Sequence, residues 1–332
     1  MRNGIQSSAS SGEGAPRAGG LRVVTADDVR RALPVGAAAE ALQQAFTAGL
    51  PLDAPARSQL AFADGTLLVM PATASGSAGD PLGGVKVVTV RAANADRGLP
   101  SVQAVYLLFG GEALAPVALV DGVALTDLRT SAVSALAARL LALPEAHRLV
   151  LFGAGAQAQA HLTALCAVRP VDDVVVVGRS PERAAALVDR AESMGLSARV
   201  GTPHDVAQAD LVCTCTTSAE PLFDGALLRP GTHVTAVGAY QPHTRELDDT
   251  VVTRGRIVVE DRAAALSEAG ELCLPIAAGL LHETDVVADL TQLCQGAVVR
   301  RDATDITVFK SVGLAIEDLV VAGAVVRALP PA

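Results

Sequence analysis

The chain has 332 residues, enough for two domains of ordinary size, and a formal net charge of −9. It shows no basic stripe of the kind that nucleic-acid binding needs, no polybasic segment for a membrane surface and no apolar run long enough to span a bilayer. Half of the residues are apolar, but only 2% are aromatic and there is no Trp. The core must therefore be built from Ala, Val and Leu.

The first 20 residues are rich in Ser and Gly, which predicts a disordered tail. They also lack the apolar core of a signal peptide. The five cysteines form no C-x-x-C pair, a usage typical of thiols kept reduced, so we expect a cytoplasmic protein. Cys213 and Cys215 alternate along an apolar strand and are interpreted as core residues. The six histidines show no metal-ligand spacing with Asp, Glu or Cys, so we expect no metal site.

The first region predicts a helix pair followed by a meandering sheet. Thr25 is expected to cap a helix over 27–33, and a second helix over 36–49 turns Leu42 and Phe46 inward. The stretch 59–70 alternates around an Asp64-Gly65 turn, which is typical of a hairpin. Further strands are predicted over 85–90, 102–109 and 117–120.

The second region alternates helices and strands, as a doubly wound sheet demands. Thr126 is expected to cap a long helix over 127–143 that Pro144 ends, which places Arg129 in the first turn, where a cation opposes the helix dipole. Strands are predicted over 211–215, 233–237, 257–260 and 306–308. An apolar helix over 309–328 is expected to return to the first domain, which would then be discontinuous.

A glycine turn at the start of this second region indicates a dinucleotide site. An apolar strand over 149–152 is followed by Gly153, Gly155 and Ala158 at the G-x-G-x-x-A spacing, by a helix and by a strand over 174–177. Gly153 permits the sharp turn, Gly155 lets the backbone approach a pyrophosphate, and the helix N-terminus offers free N–H groups to the phosphates. The alternative is a tight turn that binds nothing.

The tip of the second strand of this unit bears on the choice of nucleotide. NAD-preferring folds usually place Asp or Glu there to bind the ribose 2′-OH. This chain has Gly178, Arg179 and Ser180, and then Arg183, a set that suits a 2′-phosphate. The residues therefore favour NADP(H), with NAD(H) as the alternative cofactor. If no nucleotide phosphate binds here, Arg179 and Arg183 are ordinary solvated residues at the start of a helix.

Three cations stand in apolar surroundings: Lys86 within GGVKVVTV, Arg129 within LTDLRTSAV, and Arg57 before the hairpin. A buried Lys or Arg is costly unless it is paired, and an Arg fork binds a carboxylate through two hydrogen bonds. The partner is either an anionic substrate or an internal Asp or Glu.

The chain resembles the ornithine cyclodeaminase/mu-crystallin family from about residue 23 to residue 328. The matching segments are GTLLVMPA (65–72), GVKVVTV (84–90), GLPSVQAVYLLF (98–109), DGVALTDLRTSAVSALAARLLA (121–142), LVLFGAGAQAQAHL (149–162), PGTHVTAVGAYQPHTREL (230–247) and FKSVGLAIEDL (309–319). The resemblance implies an α/β subunit with a Rossmann domain and a discontinuous substrate-binding and dimerisation domain. It divides the chain into a tail (1–20), a substrate domain (21–130), a dinucleotide domain (131–308) and a returning helix (309–332), and it implies a homodimer.

The resemblance also implies a site between the domains, where Arg57, Lys86 and Arg129 hold the substrate carboxylate near the nicotinamide, with Met70 and Tyr240 on the substrate side. The cofactor contacts that it implies are Ser101, Arg129, Gly153, Ala154, Gly155, Ala156, Gln157, Arg179, Ser180, Arg183, Thr216, Thr217, Val237 and Val312.

One residue departs from the family pattern. Ornithine and lysine cyclodeaminases carry an Asp two residues after Gly238, and this chain has Tyr240. A phenol with a pKa near 10 supplies a hydrogen bond but no negative charge at neutral pH.

We therefore expect an NADP(H)-dependent reductase of a cyclic ketimine 2-carboxylate, with Lys86 and Tyr240 in catalytic roles. The alternatives are an ornithine cyclodeaminase, an amino-acid dehydrogenase or opine-type synthase and, outside enzymes, a crystallin-like protein that binds NADP(H) and a small carboxylate.

Overall fold

The computed structural model describes residues 21–49, 52–74 and 81–330, so the predicted disordered tail lies outside the described residues. It contains two β-sheets. The strands are β1 (Arg22–Val24), β2 (Leu52–Asp53), β3 (Ser58–Phe62), β4 (Gly65–Ala74), β5 (Leu82–Val90), β6 (Val102–Gly110), β7 (Ala115–Asp121), β8 (Arg148–Phe152), β9 (Asp173–Val177), β10 (Ser197–Val200), β11 (Leu211–Thr214), β12 (His233–Ala236), β13 (Arg256–Val259), β14 (Val286–Asp289) and β15 (Thr307–Lys310).

The α-helices are α1 (Ala26–Ala32), α2 (Val35–Ala48), α3 (Gly122–Leu141), α4 (Ala156–Cys166), α5 (Pro181–Ser193), α6 (Asp249–Arg254), α7 (Arg262–Glu268), α8 (Gly270–Ala277), α9 (Leu290–Cys294) and α10 (Ala315–Ala328). In the part of the chain that the model describes, every helix is too short or too polar to cross a lipid bilayer. Thr25 caps α1 through a reciprocal pair of bonds with Asp28, as predicted.

The first sheet has seven strands in the order β1-β7-β6-β5-β4-β2, with β3 paired to β4. The pairing of Phe62 with Gly65 confirms the predicted hairpin, but its turn is Ala63-Asp64, one residue before the predicted Asp64-Gly65. Helices α2, α3 and α10 pack on one face of the sheet around fully buried Leu42, Leu125 and Leu136. Each such side chain stabilises the fold by about 1.5–3 kcal/mol relative to an exposed one.

The second sheet has eight strands in the order β10-β9-β8-β11-β12-β15-β13-β14, all parallel. The chain leaves β8 towards β9 on one side and later returns to β11 on the other, which is the doubly wound Rossmann arrangement. After β15 the chain re-enters the first domain as α10, which makes that domain discontinuous, as expected. The expected fold class, a Rossmann sheet with a further α/β domain, is confirmed. Strands β10 and β14 were not predicted from the sequence.

Two predicted helix starts are wrong. Helix α3 begins at Gly122, where the Asp121 side chain accepts from Ala124 N, and Thr126 instead donates from inside the helix to Gly122 O at 2.7 Å. Arg129 therefore lies two turns inside the helix, and the argument from the helix dipole does not apply to it. The last helix begins at Ala315, since 307–310 form β15.

Both predicted domain boundaries fall inside regular secondary-structure elements. The 130/131 boundary falls inside α3 and the 308/309 boundary falls inside β15. Helix α3 packs against α2 and β6 of the first domain and also against α4, β12 and β15 of the second. It is therefore part of both cores.

Candidate active site

Six parallel strands of the second sheet end level with one another. Their in-register last residues are Phe152, Val177, Thr214, Ala236, Lys310 and Val259. The residues that follow them, which lie along one carboxyl edge, are Gly153, Gly178, Cys215, Val237, Ser311 and Glu260. The edge includes the switch point between β8 and β11, where ligands of open α/β sheets bind.

The glycine turn has the shape that a dinucleotide requires. Gly153 has φ of 110°, and a Cβ there would come 2.7 Å from the carbonyl oxygen of Cys215. Gly155 caps α4 without a side-chain hydrogen bond, and a Cβ on it would meet nothing within 4 Å. The first N–H groups of α4 therefore face open space and fit a pyrophosphate.

The second-strand tip carries exposed guanidiniums. Arg179 donates to Thr217 Oγ1 at 3.2 Å, and Arg183 lies in the first turn of α5. Ser180 caps that helix by accepting from Arg183 N, and its hydroxyl donates to Glu182 at 2.9 Å. The structure thus brings Arg179, Ser180, Arg183 and Thr217 together at one corner of the carboxyl edge.

The Glu246 carboxylate accepts hydrogen bonds from the loops that follow β11 and β12 and so links them. Thr216 donates to one carboxylate oxygen from both N and Oγ1 at 2.7 Å, and Gly238 N donates to the other at 2.7 Å. Burial raises the pKa of Glu246, while the charge of Lys310 opposes the rise. The hydroxyl of Thr216, a predicted cofactor contact, thus already donates its hydrogen bond to Glu246. Sequence reasoning missed Glu246 because its partners lie 8 to 32 residues away.

A buried cluster of charges joins the first sheet to α3 and α10. Lys86 Nζ lies 2.6 Å from Asp318 Oδ2, with the two side chains 3% and 0% exposed. Arg129 Nε lies 3.2 Å from Asp318 Oδ1, and its Nη1 lies 2.9 Å from Glu317 Oε2. One carboxylate, Asp318, thus bridges two of the three predicted substrate-binding cations.

The cluster shifts the pKa values of its members. Burial lowers the pKa of Lys86 to about 8, and the charge of Asp318 limits the fall. Burial also acts to lower the pKa of Arg129, but Asp318 and Glu317 outweigh it and the net shift is upward. Burial, and then the charge of Glu260, raise the pKa of Glu317 well above its usual value. Burial thus brings the pKa of Lys86 down towards neutral pH.

All three predicted cations have internal carboxylate partners. Arg57 pairs with Glu268 at 2.9 Å, Lys86 with Asp318, and Arg129 with Asp318 and Glu317. Of the two alternatives left open by the sequence, an internal Asp or Glu is therefore the partner of each cation in the free protein. The partners come from α7 and α10, far along the chain, so local sequence gave no signal for them.

The segment between β15 and α10 is clamped next to these cations. Arg57 Nη2 donates to the carbonyl oxygens of Val312 and Gly313 at 3.0 and 2.7 Å. Glu260 Oε2 accepts from the N–H groups of the same two residues at 2.9 and 2.7 Å. Gly313 has φ of 80°, and a Cβ on it would lie 2.8 Å from Arg129 Nη1. Arg57, Arg129 and Val312 are thus neighbours.

Met70, Lys86 and Tyr106 are direct cross-strand partners on β4, β5 and β6, and all three are buried. Within the described residues the Tyr106 hydroxyl has no hydrogen-bond partner. Burial, and then the charge of Asp318, raise its pKa. A Cβ on Gly84 would come 2.2 Å from this hydroxyl, so the glycine makes room for the ring. Tyr106 was not predicted, since it reads as an ordinary strand residue.

Tyr240 follows β12 and packs with Val312 in a shared apolar cluster. Burial raises the pKa of Tyr240, and the charge of Arg57 opposes the rise, so the phenol is neutral at neutral pH. Lys310 Nζ holds the preceding carbonyl, Ala239 O, at 2.6 Å. Ser101 stands apart: no hydrogen bond or ion pair of the described residues joins its side chain to this site.

The comparisons with known proteins cover nearly the whole chain. The family model "Ornithine cyclodeaminase/mu-crystallin family" matches residues 22–329. A Delta(1)-pyrroline-2-carboxylate reductase of Paracoccus denitrificans is 38% identical over 250 residues, which are 74% of this chain and 79% of the relative. A reductase of the same name from Bacillus cereus is 35% identical over 313 residues, covering 91% of this chain and 94% of the relative.

A solved structure agrees with these relatives in fold. The Thermococcus litoralis Delta(1)-pyrroline-2-carboxylate reductase, in complex with NADH and L-proline, superposes with a TM-score of 0.88 at 30% identity, covering 93% of this chain and 97% of that one. The chain belongs to the ornithine cyclodeaminase/mu-crystallin family.

Proposed function

We propose that the protein reduces a cyclic ketimine bearing a 2-carboxylate, such as pyrroline-2-carboxylate or piperideine-2-carboxylate, to the cyclic amino acid. The observation that carries the proposal is Lys86, a buried ammonium with a pKa of about 8 that lies among cations suited to a carboxylate. The names of the relatives, pyrroline-2-carboxylate reductases, support the same reaction.

When bound, a reduced nicotinamide supplies the hydride that the imine carbon receives. The imine nitrogen must then hold a proton, and Lys86 is the donor, because its ammonium form is populated at neutral pH and its pKa is close to working pH. Asp318 orients that ammonium and stabilises its charged form. The residues thus provide a proton donor and a fixed direction for it.

Arg57 and Arg129 orient the substrate carboxylate. Arg57 is the most exposed of the three cations, with 15% of its side chain accessible against 7% for Arg129 and 3% for Lys86. An incoming carboxylate therefore meets Arg57 first and competes with Glu268 for it. Arg129 is the inner contact, and Met70 lies beside Lys86 on the neighbouring strand.

Tyr240 supplies a hydrogen bond to the imine nitrogen. Its raised pKa keeps the phenol neutral, so it lacks the negative charge that cyclodeaminases of this family have at the same place. This difference favours imine reduction over release of ammonia from ornithine.

The cofactor is NADP(H) in preference to NAD(H). Support comes from the exposed guanidiniums of Arg179 and Arg183 beside Ser180, and from the lack of a carboxylate at residues 178–180. Ala154, Gly155, Ala156 and Gln157 would hold the pyrophosphate through the N-terminus of α4, and Thr217, Val237 and Val312 would line the remaining cleft.

The subunit forms a homodimer through the outer face of the first sheet. That face exposes 58% of Leu60, 61% of Phe62, 36% of Val87 and 48% of Val105, an apolar patch that favours association. We further infer a cytoplasmic location from the cysteines, all five of which are unpaired thiols. Light scattering at micromolar concentration tests the dimer, and a folded, active monomer would contradict it.

The function is tested by following NADPH and NADH absorbance with a panel of cyclic ketimines, and by assaying ornithine for ammonia. The expected result is ketimine-dependent oxidation that is faster with NADPH, without ammonia from ornithine. Release of ammonia from ornithine at a normal enzymatic rate would contradict the proposal. Lys86→Met serves as the matched inactive control.

A further inference from the structure

The side chains of His161, Cys213 and Cys215 meet beneath the glycine turn and have no role in the proposed reaction. One ring nitrogen and the two sulfurs lie within 4.8 Å of one another. The sulfurs are 3.6 Å apart. His161 and Cys213 are buried, while Cys215 is partly exposed. Residue spacing alone does not reveal this cluster, because the histidine lies in α4 and the cysteines belong to β11 and the residue after it.

The hydrogen bonds of His161 resemble those of a metal-binding histidine. Its Nδ1 lies 2.7 Å from the carbonyl oxygen of Gln157. A carbonyl only accepts, so Nδ1 carries the proton, and the Nε2 lone pair accepts from Ser134 Oγ at 2.9 Å. Metal-binding histidines typically donate their second ring N–H to a backbone carbonyl or carboxylate in this way. Nε2 is thus the nitrogen available to an ion.

The spacing of the sulfurs fits a tetrahedral ion. With Zn–S bonds of about 2.3 Å, two thiolates of one zinc site lie about 3.8 Å apart. The observed 3.6 Å is close to this, so the cysteines need little movement. We propose that His161 Nε2, Cys213 Sγ and Cys215 Sγ form a binding site for a thiophilic divalent cation, represented by Zn²⁺.

Binding of Zn²⁺ by the three ligands exchanges protons for the ion and needs no oxidant or reductant. Two Zn–S bonds and one Zn–N bond form, and two thiol protons leave to solvent. Burial lowers the pKa of His161 to about 4, with Arg129 contributing, so the imidazole is already neutral.

An ion here acts on the dinucleotide turn, an effect that rests on the proposed function. The Cys215 backbone abuts Gly153, and Cys215 N donates to Phe152 O at 2.8 Å. His161 is bonded to Gln157 in the first turn of α4. An ion held by Cys215 and His161 ties together the two sides of the turn, so Zn²⁺ and NADPH should change each other's affinity by the same factor.

The first test is titration of the full chain with Co²⁺, followed by displacement with Zn²⁺. Wild type should show a sulfur-to-cobalt charge-transfer band and tetrahedral cobalt absorption, with two protons released per ion. Cys213→Ser and Cys215→Ser should lose the charge-transfer intensity, and the control Cys273→Ser should keep it. A wild-type spectrum without that band, or an unchanged spectrum in Cys213→Ser, would overturn the site. These spectra need neither cofactor nor substrate, so they are independent of the reductase assay.

The second test uses a variant that preserves the ligands. Ser134→Ala removes the hydroxyl that competes for Nε2, so the affinity for Zn²⁺ should rise about threefold to tenfold, the equivalent of one hydrogen bond. Unchanged or weaker binding would overturn the assignment of Nε2. Equal NADPH affinity with and without saturating Zn²⁺ would overturn the coupling to the cofactor.

Discussion

Lys86 and Asp318 form a buried ion pair at 2.6 Å, with β5 of the first domain and the returning helix α10 supplying one residue each. The second oxygen of the same carboxylate lies 3.2 Å from Arg129 Nε. Asp318 therefore fixes the position of the group that we assign as the acid, and its charge opposes the fall in pKa that burial causes.

Asp318→Asn should lower the pKa of Lys86 further, because the charge that opposes desolvation is lost. It should also reduce the free energy of unfolding by about 3–5 kcal/mol, as expected when one partner of a buried pair is removed. Denaturant unfolding measures this loss. The matched control is Asp64→Asn at the exposed pair with Arg91, which should change little. Equal effects of the two substitutions would contradict the role of Asp318.

The rate of ketimine reduction should fall above a pH of about 8, since the proton donor Lys86 is charged below its pKa and neutral above it. Lys86→Met should reduce turnover by at least about a hundredfold and leave NADPH binding nearly unchanged. Lys86→Arg keeps the charge and should move the alkaline fall to higher pH. The measurement is kcat/KM against pH. If the pH at which kcat/KM falls is unchanged in Lys86→Arg, the fall is caused by another group or by the substrate and not by Lys86.

Tyr240→Phe should raise the transition-state free energy of reduction by about 1 kcal/mol, because a neutral phenol contributes one hydrogen bond. Tyr240→Asp restores the carboxylate that cyclodeaminases use, and we expect measurable ammonia from ornithine. Steady-state rates and an ammonia assay check both. A loss in Tyr240→Phe as large as that in Lys86→Met would show that the phenol is essential.

Asp127→Asn should stabilise the protein at neutral pH. Burial raises the pKa of Asp127 to about 6 from 3.8, and Gln157 donates to it at 2.7 Å. A folded pKa above the unfolded one means that stability is full below pH 3.8 and is lost as pH rises through 6. The variant should therefore exceed wild type by on the order of 1–3 kcal/mol at pH 7.5, and the difference should vanish near pH 4. A difference independent of pH would contradict the assignment.

Arg179→Ala should weaken NADPH binding by about 1.5–3 kcal/mol through loss of one charge-assisted contact to the 2′-phosphate. NADH binding should change little, because NADH lacks that phosphate. Titration of both cofactors by fluorescence or calorimetry gives the comparison. Tighter binding of NADH than of NADPH by the wild type would overturn the cofactor preference.

Local patterns predicted the elements that short-range chemistry determines. The hairpin of β3 and β4, the Thr25 cap and the glycine turn each depend on residues within a few positions of one another. The start of α3 was misplaced because Asp121 and Thr126 are both good caps, and sheet packing selects between them.

The buried carboxylates could not be predicted in the same way. Glu317 and Asp318 read as an ordinary acidic first turn of α10, and only the return of that helix to the first sheet places them against Lys86 and Arg129. The cluster of His161 with two cysteines is likewise created by packing of α4 on β11.

The level ends of six strands in the second sheet have a consequence for how this protein can change. Strand β12 is fixed by its neighbours β11 and β15, so replacing Tyr240 in the loop that follows it should alter the reactive cleft while the strands keep their register. A deletion of one residue within β12 would instead shift its loop by about 3.3 Å and reverse the faces of its side chains. New chemistry on this fold can therefore arise by substitutions in the loops that follow the strands. Insertions or deletions within the strands would instead displace the site.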